Sequence, residues 1–284
     1  MDILLVHSLS IVTINRNNSI GLKKTLVSIV KQTYSRIELI IVDGASCDDS
    51  LDVVKSVIAS SNGQIKFITI SEHDSGIYNA MNKGLKYATG EYIFFLNSGD
   101  IFFDNQVIEH VVSNFNNEDV IYGNICVTQD GNIKVLKSNP EIRFFEKYQH
   151  DMPPQPATFF RKVKILEIGG FDERYKIVSD VLFIMKLFNN KYLNYKFIDM
   201  PITVFDLSGV SSRLENEILI FNERKNFILE YFPNYFDDFE KFYSWKKLVY
   251  SQNIIRLIFL FFAKLNRLFN NIYNHIRSNF TIKF

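Results

Sequence analysis

Over the first hundred residues, short apolar runs alternate with stretches whose apolar residues recur at helical spacing. Residues 9–14, 38–42, 66–70 and 91–96 read as strands, the second and fourth continuous enough to be buried on both faces. Between the first two, Ser19 is placed to cap a helix to about Thr33, with Leu22, Leu26, Ile29 and Val30 along one stripe. Asp48 and Asp49 are placed to cap a second helix to about Ala59, and residues 77–88 form a third. Strands separated by helices predict a mostly parallel central sheet covered by helices.

The rhythm changes after residue 100. Asp104 is placed to cap a helix to Phe115, and residues 119–127 and 132–136 read as strands joined around Asp130-Gly131. A proline-rich turn at residues 152–156 leads to Ala157-Thr158-Phe159-Phe160-Arg161. Gly169-Gly170 reads as a tight turn before a helix at 180–188, and strand-like residues follow. No Gly/Ser-rich or Pro-rich linker interrupts the chain, so residues 1–212 read as one domain and 213–284 as a helical C-terminal extension.

Composition narrows the class. At 284 residues the chain can bury a full core, and its net charge of +1 provides no global field for nucleic acid. Cys47 and Cys126 stand in no metal-ligand spacing and read as free thiols in a reducing, cytoplasmic setting. A secretory leader is not expected at the N-terminus, and no apolar run reaches membrane-spanning length. No G-x-G-x-x-G follows the first strand, and neither G-x-x-x-x-G-K-[ST] nor G-x-S-x-G occurs.

The candidate chemistry lies where strands surface. Asp43 ends the second strand, and Asn97-Ser98-Gly99-Asp100 follows the fourth. In an open α/β sheet both positions fall on the ligand-binding edge. A carboxylate there can accept from the N–H edge of a base or hold a hard divalent cation through oxygen. The polar loop Ser71-Glu72-His73-Asp74 after the third strand joins the same edge. Each acid taken alone also fits a helix cap or a solvated turn.

Six segments in order then carry a resemblance: SIVTINRNN; QTYSRIELIIVDGASCDDS; SEHDSGIYNAMNKGLKYATGEYIFFLNSGD; QPATFFRK; GGFDERYKIVSDVLFIMKL; and LSGVSS. Across about residues 9–212 the chain resembles an inverting family 2 glycosyltransferase of the GT-A fold, most like bacterial enzymes that build capsule, exopolysaccharide or lipopolysaccharide. The resemblance implies a UDP-sugar or related nucleotide-sugar donor, a glycan or lipid-linked acceptor, a divalent metal (Mn or Mg), and hexosyl or N-acetylhexosaminyl transfer. It puts Thr13, Asp43, Glu72, Asp74 and Asn97 at the nucleotide, Asp100 at the metal, and Asp180 as catalytic base. The chain departs from the family where Gly99 or Asn97 replaces an acid, Asn79 an aspartate and Gln155 a histidine. The thinned acidic turn keeps open a silent nucleotide-sugar-binding protein, and the sheet keeps open a nucleotidyltransferase.

The tail adds one further expectation. After Glu240 there are no acidic residues, and Asn253, Arg256, Lys264, Arg267, Asn271, Asn274 and Ser278 fall near one helical stripe. Ile254, Leu257, Ile258, Phe261, Leu265, Leu268, Phe269 and Ile272 occupy the other faces. This is the pattern of a basic amphipathic helix on an anionic membrane surface, here the cytoplasmic face of an inner membrane, or of a helix packed on protein.

Overall fold

A computed structural model describes residues 8–250 except 62, 130–131, 141–151, 208, 210 and 212. The basic stripe from 253 onward, the Asp130-Gly131 turn, and Ser208, Val210 and Ser212 lie outside the described residues. By contacts the chain divides into two compact units, Met1–Arg224 and Lys225–Phe284.

The first unit begins with β1 (Leu9–Asn15), α1 (Ser19–Val30), β2 (Ile37–Asp43), α2 (Ser50–Ser60), β3 (Lys66–Ser71), α3 (Ile77–Tyr87) and β4 (Tyr92–Phe95). It continues with β5 (Ile101–Phe102), α4 (Val107–Val112), β6 (Val120–Gln129), β7 (Asn132–Leu136), β8 (Thr158–Arg161), α5 (Lys162–Glu167), α6 (Ser179–Phe188) and β9 (Tyr195–Phe205). Helix α7 (Glu217–Tyr231) starts in the first unit and ends in the second, which also holds α8 (Phe236–Tyr250).

The strands form one sheet in the order β3-β2-β1-β4-β8-β6-β9-β5, with β7 paired to β6. The first four are parallel; beyond them β8 runs antiparallel to both β4 and β6, while β9 is parallel to β6. The parallel half thus matches the expected sheet, and the remainder is mixed.

Side chains alternate across the strands and build two cores. Leu9, Ile11, Leu39 and Ile41 pack with Leu22, Leu26 and Ile29 of α1 on one face. Val12, Ile40 and Val42 pack with Tyr78, Met81 and Leu85 of α3 and Phe183 and Leu187 of α6 on the other. Helix α3 lies so near β1 that a Cβ on Gly84 would stand 2.3 Å from a Val12 methyl.

Two local expectations are corrected. The α1 cap is Asn18, whose Oδ1 accepts from Gly21 N–H at 3.1 Å, rather than Ser19. Asp104 accepts from Gln106 N–H at 2.8 Å in the turn before α4 and does not cap it, since Gln106 holds the cap position. Strands β5 and β8 and helix α5, at two, four and six residues, are too short to show a period.

The order of the first four strands positions the site. The chain steps outward from β1 through β2 to β3, then returns to set β4 on the other side of β1. The carboxyl ends of β1 and β4 therefore flank a topological switch point, where open α/β sheets bind ligands.

At the opposite ends of these strands, Glu38 ties three segments together. It accepts from Ser10 Oγ at 2.7 Å, Thr89 N–H at 2.7 Å, Thr89 Oγ1 at 2.9 Å and Lys66 Nζ at 2.6 Å. Burial pushes its pKa up, but the Lys66 ammonium and the Thr89 and Ser10 donors outweigh that and hold it at about 2. A carboxylate depressed in the folded state stabilises above its unfolded pKa and loses that contribution as pH falls through the folded value. Replacing Glu38 by Gln is expected to cost on the order of 2–3 kcal/mol at pH 6, with the difference shrinking between about pH 4.5 and 2. Urea unfolding of both chains across that range tests it; a pH-independent difference refutes the assignment.

Candidate active site

A cleft of about 1000 Å3 opens at the switch point. It is lined by Ile14 to Asn18 after β1, Asp74 and Gly76 to Tyr78 at the start of α3, and Asn97, Ser98 and Asp100 after β4. Met152 to Pro156, Ile177, Asp180 and Val181 at the head of α6, and Asp206 and Arg213 beyond β9 complete the wall. Of the residues expected at the site, Asp74, Asn97, Asp100 and Asp180 come together here, whereas Thr13, Asp43 and Glu72 are absent from the lining.

The reason lies in how the ends of β1, β2 and β3 are stitched. Asn15, Asp43 and Ser71 are register neighbours across the three strands. Asp43 is fully buried and accepts from Asn15 Nδ2 at 3.0 Å, Ser46 Oγ at 2.6 Å, Ser46 N–H at 2.9 Å and Ser71 Oγ at 2.9 Å. Burial raises its pKa, and these donors, Ser46 foremost, bring it below the ordinary value. A carboxylate has about four acceptor sites, and Asp43 uses them within the fold. Thr13 is also fully buried, on the strand face of Leu9 and Ile11, its hydroxyl without a hydrogen-bond partner among the described residues. Glu72 is exposed and pairs with Lys83 at 2.8 Å.

Asp74 does reach the cleft. Its Oδ1 accepts from Gly76 N–H at 3.1 Å, and its carboxylate lies directly over Gly44, where a Cβ would meet Asp74 Oδ2 at 2.3 Å. Glycine at 44 therefore makes room for the acid that the next loop delivers. Arg16, immediately after β1, brings an exposed guanidinium to the same wall.

The turn after β4 is pinned from below by Thr25 of α1. Its hydroxyl donates to the Asp100 carbonyl at 2.7 Å and accepts from Gly99 N–H at 3.0 Å. Gly99 has φ +113, a backbone conformation that favours glycine. Asp100 is 4% exposed, and its Oδ1 accepts from Asp206 N–H at 2.9 Å. Burial pushes its pKa up to about 7, against the Asp206 N–H and with the Asp206 charge. Asn97 Oδ1 is buried on this wall with no hydrogen-bond partner among the described residues.

Asp180 enters from the helix layer, in the first turn of α6. Tyr78 Oη lies 2.9 Å from Asp180 Oδ1 and 2.5 Å from the Ile177 carbonyl, and its single proton is shared between them. Burial raises the Asp180 pKa, opposed by the Tyr78 hydroxyl, the Val181 N–H and the Arg224 charge. A carboxylate so held takes up a proton more readily than one in water, which suits a base.

Two anchors hold the segment that carries Asp180. From α3, Asn82 donates to the Phe171 carbonyl and to Glu173 Oε1, both at 2.8 Å, and accepts from Phe171 N–H at 3.0 Å. Asn79 Nδ2 donates to Glu173 Oε2 at 2.8 Å. From α7, the buried Glu223 carboxylate accepts from Lys176 N–H at 2.7 Å, Ile177 N–H at 3.0 Å and Val178 N–H at 3.2 Å.

Sequence reading missed Arg16, Asp206, Arg213 and Glu223. Arg16 has a local signal, a base immediately after a strand end; the others depend on contacts far apart in sequence. Gln155, also on the cleft wall, is 5% exposed and its Nε2 donates to the Phe95 carbonyl at 3.2 Å, at the end of β4.

Comparison with known proteins points the same way. The sequence profile of glycosyl transferase family 2 matches residues 10–205. A PGL/p-HBAD biosynthesis glycosyltransferase of Mycobacterium bovis is 26% identical over 209 residues, 72% of this chain and 79% of the relative. The UDP-Glc:alpha-D-GlcNAc-diphosphoundecaprenol beta-1,3-glucosyltransferase WfgD of Escherichia coli is 35% identical over 166 residues, 57% of this chain and 58% of that one. Among solved structures, S. aureus TarS 1-349 in complex with UDP-GlcNAc superposes with a TM-score of 0.59 at 20% identity, over 70% of this chain and 58% of that chain. That likeness shows the fold: a GT-A arrangement of sheet and helices.

Glu223→Ala would leave three buried backbone donors unpaired. We expect it to destabilise by about 2–4 kcal/mol and to speed amide exchange at 176–178 ahead of the rest of the sheet. Hydrogen exchange read by mass spectrometry checks this; unchanged protection of that segment would remove Glu223 as its anchor.

Proposed function

The chain belongs to glycosyl transferase family 2, and from that premise we propose an inverting sugar transfer. The donor is a nucleoside diphosphate sugar, UDP-linked. The acceptor is a hydroxyl on a growing glycan or lipid-linked saccharide of a bacterial surface polysaccharide. One observation carries the reading: a single cleft at the switch point is lined by both the strand-end acid Asp100 and the helix-borne acid Asp180.

The chemistry divides between them. The acceptor oxygen attacks the anomeric carbon from the face opposite the diphosphate. Its proton passes to Asp180, the carbon–oxygen bond to phosphate breaks with its electron pair, and the nucleoside diphosphate leaves. One displacement inverts the centre and needs no second carboxylate, unlike hydrolases that pair two. Asp74 and Asn97 face the nucleotide. Asp43 serves it indirectly by fixing Asn15 on the cleft wall, and Thr13 and Glu72 support the same strand ends. Arg16 and Arg213 line the cleft and suit phosphate oxygens, which guanidinium forks bind well.

The residues also fit a divalent cation. Among the described residues no cluster of three or more His, Cys, Asp or Glu side chains forms a protein cage. Magnesium and manganese sites at phosphates need only one or two carboxylates, with substrate oxygens and water completing the shell. Asp100 and the unpartnered Asn97 Oδ1 offer hard oxygen donors of that kind. A cation bound there supplies positive charge to the departing diphosphate.

No helix among the described residues is long and apolar enough to cross a membrane. The tail stripe supports a peripheral site on an anionic cytoplasmic surface, close to a lipid-linked acceptor. The full chain is expected to float with anionic liposomes and to lose that property when ended at Trp245; equal flotation of both refutes the assignment.

For transfer itself, purified protein with Mn2+ and an acceptor extract is expected to release nucleoside diphosphate from one member of a nucleotide-sugar panel. No release from any donor would favour a silent binding protein, and pyrophosphate release a nucleotidyltransferase. Asp180→Asn should bind the donor as before and transfer about 10²–10⁴-fold more slowly; near-normal transfer would rule it out as the base.

A further inference from the structure

We propose that Asp206, at the far end of β9, supplies the second carboxylate of the cation site that the turn after β4 lacks. The inference rests on the reading of Asp100 as a cation ligand and extends it to a residue about a hundred positions away in sequence.

Strand pairing brings the two together. Strand β5 begins immediately after Asp100, and β9 ends immediately before Asp206; the two pair antiparallel with Ile101 opposite Val204 and Phe102 opposite Thr203. Continuing that register sets Gly99 opposite Asp206. The contact is made as the register requires: Asp206 N–H donates to Asp100 Oδ1 at 2.9 Å.

The space at residue 99 supports the same reading. A Cβ on Gly99 would lie 2.9 Å from Asp206 Oδ2 and 3.3 Å from its Cβ. The Asp206 carboxylate therefore stands where a side chain at 99 would project. The turn has glycine where an acid would otherwise serve, and an acid arrives there from another strand.

Asp100 and Asp206 both line the cleft, and the buried Asn97 Oδ1 on the same wall lacks a hydrogen-bond partner among the described residues. The set is all oxygen, with two carboxylates, and suits a hard divalent ion that takes its other ligands from phosphate and water. Two carboxylates docked against each other at a partly buried site repel, and a cation between them reverses the sign of that interaction. Because two protein carboxylates leave most of the coordination shell to be filled, the ion should bind weakly alone and tightly with a nucleoside diphosphate.

The test titrates Mn2+ into the full-length chain and follows the loss of the free-ion electron paramagnetic resonance signal, with and without saturating UDP. Wild type should bind Mn2+ at least 10-fold more tightly with UDP. Asp206→Asn keeps the backbone N–H to Asp100 and the side-chain volume and removes one of the two repelling charges, so it should still unfold in one cooperative metal-free thermal transition. It should nonetheless weaken Mn2+ binding at least 10-fold in the presence of UDP, while Asp206→Glu stays within a few-fold of wild type. Wild-type-like Mn2+ affinity in Asp206→Asn overturns the proposal and leaves the Asp100 reading standing. Failure of wild type to bind Mn2+ with UDP overturns both. As a check needing no variant, Fe2+ with ascorbate and peroxide should cut the wild-type chain near both 99–100 and 206; cuts near 99–100 alone count against Asp206.

Discussion

Three backbone N–H groups converging on one buried carboxylate determine where the catalytic side of the cleft stands. Asp180 belongs to no strand end. It heads α6 after a stretch, 171–178, that has no regular partner to satisfy its backbone. Buried peptide groups must be paired, and here Glu223 pairs those of Lys176, Ile177 and Val178. Charge-assisted bonds of this kind are roughly twice as strong as neutral ones, so the loop is fixed by direction as well as by packing. Helix α3 grips the same segment from its other end, through Asn79 and Asn82, and reaches Asp180 itself through Tyr78.

This grip accounts for three polar residues of α3. Tyr78, Asn79 and Asn82 sit near a polar loop and a strand end, yet their polar atoms are directed at residues 171–180. The family resemblance puts an aspartate at the position of Asn79. In this chain its amide donates to Glu173, and an aspartate there would set two carboxylates against each other. Gly170 belongs to the same joint: at φ +73, a Cβ on it would come within 2.8 Å of Asn82 Oδ1. The motif is thus an architectural one, which holds the segment that carries Asp180.

The parallel half of the fold was legible because β1 to β3 and the helices between them are long enough to display a pattern, and β4 lies within the six-residue, largely apolar run 91–96. Where an element spans only a few residues, as β5, β8 and α5 do, its conformation follows from neighbours in space, and the sequence carries no period to read. The candidate site divides in the same way. The strand-end rule drew attention to Asp43, Asp74 and Asp100, since it depends on topology alone. It could not distinguish an acid open to a cleft from one whose oxygens are consumed by Asn15, Ser46 and Ser71, because that depends on three loops meeting. Glu223 and Asp206 were invisible for the same reason. Neither lies in a local pattern, and each acquires its part only when a distant segment folds against it.

The two halves of the sheet therefore contribute unequal things to one cleft. The parallel strands supply a switch point with amide, carboxylate and guanidinium groups at its rim, and that geometry exists before any contact with the second half. The mixed half closes the site: β9 pairs with β5 and delivers Asp206 to Asp100, and α6 delivers Asp180. A ligand that engages both halves gains from their docking, and stabilises it in return by mass action. Under the proposed function, a diphosphate beside Asp100 with its sugar toward Asp180 would make donor binding and completion of the cleft wall one equilibrium. The low net charge of the chain fits the proposed arrangement, because attraction of an anionic donor would then depend on Arg16, Arg213 and a local cation rather than on a field spread over the surface.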